Sequence, residues 1–204
     1  MCRLRPVTLL LCLCIVAMRG RPVLARADSV QVDRTHKVEA SLALGPMLSK
    51  FRETPPYEGA SHFAWGYNAI ARVVWHPGNV LGVGLLSGHI TFISQELYLP
   101  DSASDGLVHA RLSAVPTMID VTAELLGFDC GLGLGGYVVS TLLTDVTTAR
   151  ASRFELGILG HFAYRWQVGD HVSIGPELLV NYLSYRGIFS ASPHLSLEYD
   201  ILAY

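Results

Sequence analysis

Phe63-Ala64-Trp65-Gly66-Tyr67-Asn68-Ala69-Ile70-Ala71-Arg72-Val73-Val74-Trp75 carries a strict alternation. All seven odd positions are apolar, whereas the even ones (Ala64, Gly66, Asn68, Ile70, Arg72, Val74) are mixed, small or polar. Successive side chains of an extended chain point to opposite faces, so a period of two over this length predicts a strand with one apolar face. Strands of soluble sheets average about 5–6 residues, while a bilayer asks for about 9–11 tilted ones. The rule recurs at Phe154–Trp166, where Phe154, Leu156, Ile158, Gly160, Phe162, Tyr164 and Trp166 share one parity. Shorter copies lie at Val38–Gly45, Phe128–Gly135, Val172–Tyr182 and Leu195–Ile201. With Val80–Phe92 and Val108–Glu124 they make eight predicted strands, an even number.

The connections alternate in length. Leu48–Ser61, Ser94–Leu107 and Thr141–Arg153 read as long, Ser184–Ser192 as intermediate, and His76–Asn79, Leu125–Gly127 and Gln167–Asp170 as tight. Long loops at one end and short turns at the other describe an all-β, eight-stranded, antiparallel up-and-down transmembrane β-barrel, with its short turns in the periplasm. Two aromatic belts fit that placement. Trp75, Trp166, Phe128 and Tyr204 fall at the periplasmic end, and Phe63, Trp65, Phe154 and Tyr182 at the outer end. A soluble lipocalin-like barrel alternates equally well, but it needs a wet, charge-rich outer face. Here the face opposite the apolar one is Gly, Ser, Ala and Asn with a few charges, which suits a cramped lumen.

Composition supports the same class. Of 204 residues, 50% are hydrophobic and 16% charged, and mean hydropathy is +0.36. Disordered chains have the opposite balance, and soluble domains carry about 25% charged residues. Residues 1–27 read as a signal peptide: Arg3 and Arg5, the apolar run Pro6–Met18, then Ala25-Arg26-Ala27. Residues 28–35 form a short periplasmic lead, and the barrel occupies 36–204. Leu9-Leu10-Leu11-Cys12 is a poor lipoprotein signal, because the apolar run continues past the cysteine. Five of the 15 Lys+Arg and none of the 17 Asp+Glu lie in 1–27, leaving ten basic against seventeen acidic residues, net −7. No basic patch for nucleic acid remains. Cys130 is the one cysteine outside that segment, so no disulfide framework is expected. The longest uncharged stretch, Val73–Gln95, is broken by His76-Pro77-Gly78-Asn79 and reads as a hairpin.

Leu81-Gly82-Val83-Gly84-Leu85, Ala114-Val115-Pro116-Thr117-Met118 and Gly131-Leu132-Gly133-Leu134-Gly135-Gly136, with a chain end on Tyr204, resemble small bacterial outer-membrane barrels of the OmpA-transmembrane-domain/OmpX-like type. The resemblance spans nearly all of 36–204. It implies residence in the bacterial outer membrane, contact with its lipid and lipopolysaccharide, and insertion by the barrel-assembly machinery, which reads a terminal aromatic strand. Tyr199 and Ile201 are out of phase with Tyr204, which predicts a bulge near the end.

The inward parity carries Glu39, Arg72, Arg111, Glu155, Arg165, Glu177 and Glu198, a charge set expected to pair across the lumen because buried charge needs a partner. Pro46, Pro116 and Pro176 lie within strands and are expected at bulges, with a register change at Pro116. His62, His89 and His109 fall near the outer mouth. They form a candidate Zn²⁺ or pH-sensing triad only if a bulge near Leu86–Gly88 turns His89 inward, and the plainer reading is three amphipathic rings at a membrane–water boundary. Three function classes follow: a monomeric, non-enzymatic barrel with a plugged polar lumen that is envelope-structural or acts through its loops, a narrow channel for small or hydrophobic solutes, and a lipid-A-modifying enzyme. The loops carry the acidic residues Glu53, Glu58, Glu96, Asp101 and Asp105. An enzyme of the deacylase type wants a His-x-Ser pair, and none occurs; Ser184, Ser190, Ser192 and His194 read as loop and strand-end residues. No cofactor is expected.

Overall fold

The computed structural model describes residues 36–52, 62–78, 81–98, 107–125, 127–144, 148–184 and 187–203. The expected signal peptide, the lead 28–35 and Tyr204 lie outside them. The strands are β1 (Lys37–Lys50), β2 (Phe63–His76), β3 (Leu81–Tyr98), β4 (Leu107–Leu125), β5 (Phe128–Thr144), β6 (Thr148–Tyr164), β7 (Trp166–Gln167), β8 (Val172–Leu183) and β9 (Ile188–Ala203). From β1 to β6 and from β7 to β9 each strand pairs antiparallel with the next, β1 pairs β9, and β6 pairs β8, so the sheet closes. Both β6 and β7 run against β8 in one unbroken register on either side of Arg165. They are one stave, and the barrel has eight.

Inside and outside separate by parity. Among the described residues 33 large hydrophobic side chains are exposed, from Leu42 to Leu202, and they form the outer wall. Closure leaves no free edge along the shared height of the staves, and an apolar exterior on a closed sheet is the form a bilayer accepts.

One end of the barrel carries the short connections 77–80, 126–127 and 168–171. In the second, Gly127 adopts φ 80°, which a side chain rarely tolerates. The other end carries 51–62, 99–106, 145–147 and 184–187. Two loops are thus shorter than predicted. The expected long loop Thr141–Arg153 is mostly strand, because β5 and β6 continue as a ladder from Phe128↔Tyr164 to Thr144↔Thr148. Likewise β9 begins at Ile188, inside the expected loop Ser184–Ser192. Small residues there (Ser140, Thr141, Ala149, Ala151, Ser152) break the apolar alternation but not the pairing.

The prolines behave unequally. Pro116 causes no register change: β4 pairs β5 continuously from His109 to Leu125, and Ser87 Oγ donates to the Pro116 carbonyl at 2.9 Å. The β3–β4 register shift falls between Thr91 and Ile93, not near Leu86–Gly88. Pro176 lies where the β6–β8 pairing stops, beside the Arg165 break, as its missing N–H requires. Pro46 faces a gap in the β1–β9 ladder between Leu44↔Leu195 and Leu48↔Ala191, opposite Pro193. The bulge implied by the phase of Tyr199 and Ile201 is present, since Val38 pairs Leu202 whereas Glu39 pairs Asp200.

Candidate functional site: the lumen

Near the turn end the lumen is crossed by charge. Lys37 pairs with Glu39 and, at 2.8 Å, with Asp200, and His76 Nε2 reaches Glu39 at 2.9 Å. Arg165, where β6 and β7 part, pairs with Asp129, with Glu198 at 2.7 Å and with Glu177 at 3.8 Å. Arg72 donates to Glu177 at 2.7 Å and to Ser41 Oγ at 3.1 Å. His161 meets Asp120 at 3.2 Å. Glycines make the room: a methyl group on Gly131 would overlap the His161 ring, and one on Gly82 would overlap Thr122 and His76. The space left among Glu39, Arg72, His76, Thr122, His161 and Arg165 has room for about one water.

The next layer outward is apolar on four staves. Two positions from Arg72 is Ile70, from Asp120 Met118, from His161 Leu159 and from Glu177 Leu179, all at most 2% exposed. With Leu86, Ile90, Phe92, Val139, Leu183 and Ile188 they form one buried cluster, into which Phe51 dips from the loop end. Phe51 accepts a hydrogen bond on its carbonyl from the His62 ring at 3.3 Å and donates its N–H to the His62 carbonyl at 2.8 Å, closing the base of the 51–62 loop. The lumen is therefore not polar throughout, as the sequence reading expected: its loop-end half is a hydrophobic core.

Two positions further outward from Ile70 and Leu179 stand Asn68 and Asn181, part of an uncharged polar group set within the apolar cluster. Tyr137 donates to Asn181 at 3.1 Å, and Ser192 Oγ stands 2.5 Å from the Pro46 carbonyl, 2.8 Å from His194 Nε2 and 3.2 Å from Asn68 Oδ1. His194 Nε2 also contacts Asn68 Oδ1. Ser190, Ser192 and His194 are thus lumen residues of β9, a correction to their reading as loop and strand-end residues. An amide oxygen only accepts, so Nε2 carries the proton toward Asn68 while the Ser192 hydroxyl donates to Pro46. Nδ1 of His194 is buried without a partner. That nitrogen arrangement offers Ser192 no base.

Of the seven charges assigned to the lumen by parity, Glu39, Arg72, Arg165, Glu177 and Glu198 lie in the turn-end layer. Glu155 sits toward the loop end with Arg153 at 2.9 Å and Ser184 at 3.3 Å. Arg111 is on the outer wall, in phase with Val115, Ile119 and Val121, so its inward assignment is corrected. Parity missed Lys37, Asp120, Asp129, His161 and Asp200. Asp120 and His161 share the inward phase with Met118 and Leu159, so a search for charge across the staves, not within one run, would have found them. The three histidines do not gather. His62 bonds Phe51, His109 lies 3.5 Å from Glu96, and His89 shares the outward phase of Leu85 and Ser87. Among the described residues the one set of three ligand-type atoms within 4.8 Å is Glu39, Glu198 and Asp200, and cations already occupy it. Trp65 (72% exposed) and Phe154 (66%) stand toward the loop end of the wall, and Trp75 and Trp166 toward the turn end. There Phe128 stacks on Phe162 at 4.9 Å and Tyr164 meets Trp166 edge-on at 5.4 Å.

The fold is a closed, eight-stave antiparallel β-barrel with an apolar outer wall. Among solved structures the chain is similar to Ail, the attachment invasion locus protein of Yersinia pestis, at 12% identity over 81% of this chain and 99% of that one, with a TM-score of 0.49. It is similar to Neisserial surface protein A at 12% identity over 82% and 97%, TM-score 0.47. It is also similar to a major outer membrane protein of Thermus thermophilus at 14% identity over 79% and 99%, TM-score 0.48. No protein-family model and no curated protein matches the sequence.

Proposed function

We propose that this protein is a non-conducting barrel of the bacterial outer membrane that works by presenting its loop-end sheet to partners at the cell surface. The observation that carries the reading is unequal stave height. β8 has 12 residues, whereas β3 to β6 have 17 to 19. Strand β6 pairs β8 over Gly157–Ala163, the Leu156 carbonyl still accepts from the Ser184 N–H at 3.2 Å, and the outer segment Thr148–Glu155 has β5 as its one ladder partner among the described residues. Beyond the rim, β3 to β6 therefore stand as an open sheet whose last strand, among the described residues, offers backbone groups without a ladder partner, the arrangement to which an extended segment adds as a further strand. Arg150, exposed on that edge, favours an acidic segment. The charged layer and the apolar cluster stacked above it support a closed lumen, because an ion would shed its water against Ile70, Met118, Leu159 and Leu179. Planar-bilayer recording of the refolded chain tests this: a flat baseline is expected, and discrete conductance steps would favour the channel reading instead. The Ser192–His194–Asn68 geometry gives no support to an esterase.

A further inference from the structure

Arg111 occupies a place where lone charge is costly. Its Nη2 donates to the Tyr67 hydroxyl at 2.7 Å, to Thr91 Oγ1 at 3.0 Å and to His89 Nε2 at 3.1 Å. None of the three acceptors is a carboxylate; an arginine only donates, so His89 Nε2 presents its lone pair. The guanidinium also lies 5.9 Å from the centre of the Tyr67 ring. Nε is buried with no partner, none of the three bonds uses Nη1, and among the described residues no ion pair joins Arg111 to a carboxylate. Among the described residues the cation is held in place by neutral-type oxygen and ring-nitrogen acceptors and has no carboxylate beside it.

Its height narrows the choice of anion. Tyr67 is eight residues outward from Trp75, about 26 Å along the strand and about 20 Å up a barrel tilted at about 40°. The apolar band of such barrels is about 25 Å tall, so the guanidinium sits just inside its outer margin, where a cation is tolerated only beside headgroups. Lys50 stands on the same wall, 5.8 Å from the centre of the Phe63 ring, with Trp65 between the two cations. The patch is one-sided. At the loop end of β8 and β9 the outward residues are Val180, Tyr182, Phe189 and Ala191, with no charge.

We infer that the β1–β4 wall binds the phosphate of an outer-leaflet lipid, with Arg111 as its anchoring cation and Lys50 as a second contact. The assignment rests on the outer-membrane reading above. Guanidinium forks match phosphate oxygens, and an aromatic ladder beside them packs on the lipid's apolar part.

The test uses the full chain refolded into phosphatidylcholine vesicles holding bisphosphorylated lipid A, or the same lipid A stripped of phosphate, with bound lipid counted by native mass spectrometry. A one-to-one complex with the phosphorylated lipid is expected, at least tenfold tighter than with the stripped one, which is about 1.4 kcal/mol. Arg111→Gln should lose that tenfold and Arg111→Lys part of it, both verified as folded by heat-shifted gel mobility. Millimolar inorganic phosphate should not displace the lipid. Equal binding of both lipids by the unmodified chain, undiminished binding by a folded Arg111→Gln, or displacement by inorganic phosphate overturns the site. A chain that enters no vesicle overturns the membrane reading and this one together, whereas one that inserts and ignores phosphate overturns this one alone.

Discussion

Arg72 and Glu177 meet at the level where the lumen turns from charged to apolar, both side chains at most 2% exposed. Removing one partner of such a pair strands a buried charge, at a cost of about 3–5 kcal/mol, while replacing both with apolar groups is often neutral. Arg72→Met alone should therefore lower stability by about that amount, and Arg72→Met with Glu177→Leu should recover most of it. Urea unfolding in vesicles followed by tryptophan fluorescence would show it; equal losses in the single and double variants would mean the pair does not act as a unit. The glycines make a second contrast. Gly131→Ala drives a methyl into the His161 ring, which is boxed in by Asp120, whereas Gly136→Ala meets only the ring of Phe154 on the open wall. Gly131→Ala should cost about 1–3 kcal/mol by overpacking and Gly136→Ala much less, because an exposed ring can swing aside. Similar losses from both would contradict the difference in confinement.

At the level of elements, strand β6 divides at Gly157. Below it the backbone is paired on both sides, and above it on one. Amide protons without a ladder partner exchange at rates set by local opening. Hydrogen exchange should therefore be fast at alternate amides of Thr148–Leu156 and slow throughout Gly157–Ala163, and uniform protection along β6 would mean another strand covers the edge. What the sequence made legible was the outward face. Phe63 to Trp75 and Phe154 to Trp166 alternate because an apolar outer wall needs every second position apolar, and counting such runs returns the eight staves; the register changes expected at Pro116 and near Leu86–Gly88 do not occur, the one in β3–β4 falling between Thr91 and Ile93. The lumen was legible only in part. Arg72 and Glu177 announce themselves as charges out of place, but Ile70, Met118, Leu159 and Leu179 share that same parity and sit next to apolar outward neighbours. A run apolar on both faces gives no phase, so the buried cluster stayed hidden. Arg111 misled for a related reason. Past Val115 toward the loop end the outward face becomes Ser113, Arg111 and His109, and without apolar residues to mark the phase an outward arginine passes for a lumen charge.

At the scale of the whole molecule, orientation decides which end faces the medium, and cleavage on intact cells reads it. Short turns mark the periplasmic end of outer-membrane barrels, so the connections 77–80, 126–127 and 168–171 should be sheltered and 51–62 displayed. Arg52 is exposed at a bend just beyond β1, while Arg150 and Arg153, though exposed, are held in the β5–β6 ladder. A protease needs its substrate extended and free of such pairing, and exposed loop tips are the usual sites of nicking. Trypsin on intact cells should therefore cut after Arg52 and spare Arg150 and Arg153, and the two fragments should stay associated because β1 is paired on both sides. Peptide mapping after brief digestion reads both points. A cut after Arg52 that appears only when the envelope is permeabilised would turn the barrel upside down, carrying the proposed docking edge and the lipid-binding wall to the wrong side with it. Rapid cleavage at Arg150 would instead keep the orientation and dissolve the upright sheet, because the edge would then be a loop.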